Sequence, residues 1–212
     1  MATVTLRRLA GCLGLGLALL HGCNKAPPAV EMKLPPDLAA LQAEIEKGKG
    51  QLDATVAAFD SLVAGGGGDL KKSYGQFVEK LAGLESQAAA VRGRADDMRA
   101  KGAAYFKAWE EQFAKFTTPA IVEAAQKRRE ELTKNYESLT AAMGKARESY
   151  QPLVSTLNDL KKVMENDLNA EGVKSLAPKA KEIGESAKTV KASLDAVVGE
   201  LKNIVAIYSP MK

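Results

Sequence analysis

Histidine is almost missing from this chain of 212 residues: there is one, His21, alongside two cysteines and one tryptophan. His21 and Cys12 lie in a leader expected to be removed, and the remaining cysteine, Cys23, is expected to carry lipid. Without imidazole or a free thiol, no Ser-His or Cys-His nucleophile and no His/Cys zinc site is built. No catalytic residue, metal or cofactor is therefore expected, and the chain reads as a non-enzyme. Charge of one sign is also lacking. There are 30 Lys+Arg against 26 Asp+Glu, and losing Arg7 and Arg8 with the leader leaves 28 against 26. That balance gives no broad field for nucleic acid. Beyond the leader the longest apolar run is Ile204 to Tyr208, far short of a bilayer span. What is present is ordinary: 46% hydrophobic and 26% charged residues, which argues against wholesale disorder.

The N-terminus reads as an address. Arg7 and Arg8 form a positive start, and Leu9 to Leu20 form an apolar stretch too short for a stable span. Leu20-His21-Gly22-Cys23 then resembles a bacterial lipobox, so residues 1–22 are expected to be a lipoprotein signal peptide and Cys23 the lipidated residue. Leu9-Ala10-Gly11-Cys12 fits the box better residue for residue, but only two residues separate Arg8 from its small core, so no apolar stretch precedes it. Cys23 is therefore favoured over Cys12. Residues 23–36 carry Pro27, Pro28, Pro35 and Pro36 and read as an extended, semi-rigid tether. Asn24 stands where aspartate would favour inner-membrane retention, which points to the periplasmic face of the outer membrane.

Residues 37–208 read as a single helical coiled-coil domain. Apolar residues recur at alternating steps of three and four. The first seam runs from Leu38 through Ile45, Gly48, Leu52, Thr55 and Phe59 to Leu62, and Gly65–Gly68 end that helix. Asp69 is placed to cap a second helix whose seam runs from Leu70 to Trp109, with Phe113 and Phe116 beyond. Thr118 and Pro119 open a third, with a seam from Leu132 to Met164. Pro152 lies inside it in register, so it predicts a bend and not a boundary. Asn169 caps a fourth helix, from which Pro178 splits a short turn at 170–176. No segment alternates with period two. The connections are short, so neighbours are expected to be antiparallel. The expected fold is all-α: an elongated antiparallel bundle or coiled coil of four helices.

Several pieces occur in a specific order: Phe59-Asp60-Ser61-Leu62-Val63, glycines and Asp69-Leu70; Val91-Arg92-Gly93-Arg94 with Asp96-Asp97; Tyr105-Phe106-Lys107-Ala108-Trp109-Glu110-Glu111; Tyr136 with Leu139 and Met143; Pro152-Leu153; and Asn166-Asp167-Leu168-Asn169-Ala170 with Ser175-Leu176. Over about residues 50–205 this order resembles a bacterial family catalogued as domain of unknown function 2959. The resemblance implies a helical, lipobox-bearing envelope protein and carries no activity with it.

The remaining candidates are structural on their spacing. Asp96-Asp97 and Glu110-Glu111 are adjacent pairs that point about 100° apart on a helix, so neither forms an acid/base dyad. Lys127-Arg128-Arg129 meets Glu130-Glu131 at once and reads as a mixed-charge surface. Trp109 falls on the seam, as core residue or as part of a partner-binding end with Phe113 and Phe116. The expected role is a non-enzymatic envelope lipoprotein: a lipid-tethered rod acting as spacer, adaptor or scaffold. Its partners are the membrane through the N-terminal lipid and a protein partner or second copy, with no nucleic acid and no small-molecule substrate. The alternative is a membrane-active helical bundle of the pore-forming or remodelling type.

Overall fold

A three-four spacing of apolar residues makes one wet and one dry face on a helix, and five helices account for nearly all of the described residues. A computed structural model describes residues 37–65 and 69–208. It places α1 at Asp37–Val63, α2 at Leu70–Phe113, α3 at Pro119–Asn166, α4 at Ala170–Ser175 and α5 at Ala177–Tyr208. There is no strand among the described residues. At 1.5 Å per residue α2 and α3 are each about 70 Å long.

Local chemistry sets most boundaries. The Asp69 carboxylate accepts from the Lys72 backbone N–H at 2.9 Å, and Asn169 Oδ1 accepts from the Gly172 N–H at 2.8 Å. These are the caps expected for α2 and α4. Gly65 takes φ +103°, a conformation that ends α1 and that a side chain would strain. The expected fourth helix is two helices, α4 and α5, separated at Leu176. Pro178 sits in the first turn of α5, where its missing N–H costs no helical bond. Helix α3 passes through Pro152 without a boundary. Thr118 departs from expectation: its backbone is extended and Pro119 follows, but its hydroxyl makes no cap bond. Phe116 lies beyond the end of α2.

The helices pair in opposite directions. Gln51 Nε2 donates to the Lys80 carbonyl and Gln87 Nε2 to the Glu44 carbonyl, so α1 and α2 run antiparallel. Lys191 pairs with Asp53 at 2.8 Å and Lys49 with Asp195 at 2.6 Å, which sets α5 antiparallel to α1. The two extensive interfaces are α1 on α2 and α3 on α5. Helices α2 and α3 touch sparsely, held by Tyr74 Oη donating to the Lys161 carbonyl and Tyr136 Oη donating to that of Met98.

The interior of this helical bundle is two clusters. One gathers Phe59, Phe77, Leu81, Leu157 and Ile183 toward the α1–α2 and α3–α4 turns. The other gathers Leu41, Met98, Leu139 and Leu201 toward the start of α1. Thr55 occupies a fully buried seam position at no polar cost, because its hydroxyl lies 2.8 Å from the Gln51 carbonyl and 3.0 Å from that of Lys80.

Candidate functional site

Where the two clusters meet, the seams run small. Gly48 on α1, Ala88 and Ala95 on α2 and Ala146 on α3 fall at this level. Larger residues at these seam positions would interdigitate; here they leave a cavity of about 410 Å³. Its deep wall is apolar, from Ile45 and Leu52 on α1, Leu84 and Val91 on α2, and Val190 and Leu194 on α5. A water needs two to four polar partners, and this wall has almost none to offer.

The cavity opens between α2 and α3. No hydrogen bond or ion pair joins these two helices between the Glu85–Asn158 contact and the Met98–Tyr136 contact among the described residues. The lips of the opening are polar and exposed: Arg92, Asp96 and Arg99 on α2, Thr140 and Arg147 on α3. Arg99 pairs with Asp96 at 2.9 Å. Arg92 and Arg147 make no ion pair among the described residues. One acid thus faces three guanidinium groups.

Tyr150 completes the site. Its Oη is buried and lacks a hydrogen-bond partner among the described residues. Burial pushes its phenol up to about 12; the Glu85 carboxylate nearby adds to the shift and Arg92 opposes it. An unfolded tyrosine ionises near 10, so above that pH the folded state binds more protons and loses stability as pH rises toward 12. Spectrophotometric tyrosinate titration is expected to show a late-ionising phenol that Tyr150→Phe removes; an unchanged curve in the variant would contradict the burial.

The aromatic end lies elsewhere. Trp109 is 6% exposed, with Tyr105 edge-on at 5.7 Å, so it takes the core role open to it in the sequence. Phe106 packs edge-on against Tyr136 across to α3. Phe113 is half-buried and meets Phe116, which at 38% is exposed, as is Ile121 at the start of α3. Glu110 pairs with Arg129 across this hairpin, a link between helices that the local charge pattern did not specify. Asp97 and Glu111 are exposed, and Met98 and Met164 are core.

Among the described residues no group of three or more His, Cys, Asp or Glu is placed to hold a metal ion. No described helix is long and apolar enough to cross a membrane. Cys23 and Cys12, the signal segment 1–22 and the tether 23–36 lie outside the described residues. A family model described as "Protein of unknown function (DUF2959)" matches residues 37–207. No curated protein and no solved structure matches the chain.

Proposed function

The chain belongs to the DUF2959 family, a membership that brings no activity with it, and we propose that it serves as a non-enzymatic lipoprotein of the bacterial envelope, a lipid-tethered helical rod acting as spacer, adaptor or scaffold. In this reading Cys23 carries the lipid, residues 23–36 are the tether, and the four long helices form an antiparallel coiled coil at the periplasmic face of the outer membrane. The observation that carries it is the continuity of the seams. From Leu38 to Leu62, Leu70 to Trp109, Leu132 to Met164 and Val173 to Ile204, every seam residue is buried or half-buried. Long helices packed by a narrow stripe give length and an extended surface. Phe116 and Ile121 at the α2–α3 turn supply an apolar tip for a protein partner.

Cys23→Ser tests the tether in cells producing the full chain. The expected result is a larger, unprocessed form and loss of the lipid label. Unchanged mature size and unchanged membrane attachment would overturn the proposal. Crosslinking from position 116 then separates the roles: one discrete partner makes the protein an adaptor, and crosslinks only to a second copy make it a spacer.

A further inference from the structure

We propose that the cavity between the two core clusters binds a single-chain anionic amphiphile, a long alkyl chain ending in a carboxylate, with the chain inside and the headgroup at the arginine-lined mouth. Size, wall, opening and charge all bear on this. A volume of about 410 Å³ is at the lower end of ligand cavities, enough for one alkyl chain and too little for a two-chain lipid. The wall of Ile45, Leu52, Leu84, Val190 and Leu194 offers dispersion contacts and no hydrogen bonds, which suits methylenes and not a polar metabolite. The opening lies in a stretch where no hydrogen bond or ion pair joins α2 to α3 among the described residues, so a chain enters sideways without either cluster coming apart.

Charge selects the headgroup. Arg92 and Arg147 stand on opposite lips, without acidic partners among the described residues, and each presents a planar fork that fits a carboxylate. Two guanidinium groups on one mouth repel each other, and an anion between them removes that repulsion. Arg99 is the third cation, already bonded to Asp96, so it is not needed for the headgroup. Tyr150, one helical turn from Arg147, brings a buried hydroxyl with a proton to donate. Glu85 is the nearby acid; its Oε1 is occupied by Asn158 Nδ2 at 2.7 Å. The site thus has an apolar interior, two cations with no acid assigned to them, and an unused donor, which together match a fatty carboxylate.

The test is photolabelling of the full chain in its own membranes with a hexadecanoate analogue carrying a mid-chain diazirine. Labelled residues are expected in the stretches 84–95, 140–150 and 190–197. Unlabelled hexadecanoate is expected to compete, and hexadecanol to compete at least tenfold less well. Arg92→Gln with Arg147→Gln is expected to lower labelling about tenfold. Ala88→Leu narrows the cavity and is expected to lower labelling severalfold while the melting temperature holds or rises, which separates loss of the site from loss of the fold. Labelling spread over exposed helix faces, labelling confined to the Phe116–Ile121 tip, or equal labelling by a trimethylammonium analogue of the same chain length would each overturn the proposal.

Discussion

Phe59→Ala is expected to destabilise the bundle by about 3–5 kcal/mol, the usual cost of emptying a large aromatic site in a packed interior. Phe59 is fully buried, as is Phe77, and their rings meet at 5.4 Å with a tilt of 55°. The pair joins α1 to α2 within the cluster that also holds Leu157 and Ile183, so the truncation removes contacts to the facing helices as well. Neighbouring Leu62 and Leu81 are fixed by their own packing and close the hole only in part. For a chain of this length each kcal/mol lowers the midpoint by about 2–4 °C, so a drop on the order of 10 °C is expected in a circular dichroism melt. A drop of a degree or two would mean that the α1–α2 contact is not the one described.

Gly102→Ala is expected to destabilise, against the sign of helix propensity. Inside a helix, replacing glycine by alanine ordinarily gains about 0.5–1 kcal/mol. At Gly102 the added carbon would lie 2.5 Å from Tyr136 Oη and 2.6 Å from the ring carbon that bears it. The ring is stiff and held on two sides, by its bond to the Met98 carbonyl at 3.2 Å and by the edge of Phe106 at 5.7 Å. Moving it breaks one of the few ties between α2 and α3, so a net cost of about 1–3 kcal/mol is expected. Gly144→Ala is the control. Nothing lies within 4 Å of its added carbon, so the ordinary gain of about 0.5–1 kcal/mol is expected there. Thermal melts of the two variants should move in opposite directions; parallel shifts would contradict the close approach at Gly102.

The seams were legible because a heptad pattern is local: each residue three or four along announces the next. The caps at Asp69 and Asn169 were legible for the same reason, since acceptor and donor are three residues apart. What was not legible depends on which helix faces which. Val198 is buried beside Val197, off the seam of alternating three- and four-residue steps, because α5 packs on both α1 and α3 and needs a wider apolar face. The Glu110–Arg129 pair joins two helices and leaves no trace in a local charge pattern. The cavity is the clearest case. Gly48, Ala88 and Ala146 read as weak seam positions on three separate helices, and only the register of the folded chain stacks them at one level. Arg92, Arg147 and Tyr150 gain meaning from that level. Taken singly along the chain, each reads as an ordinary surface or seam residue.

Intact mass spectrometry of the chain extracted from its membrane tests the central claim, that a helical bundle is held at the envelope by a lipid on Cys23. The expected result is a chain beginning at Cys23, heavier than its residues by a diacylglyceryl group and an N-linked acyl chain. A chain beginning at any other residue, or beginning at Cys23 with an unmodified thiol, would contradict it.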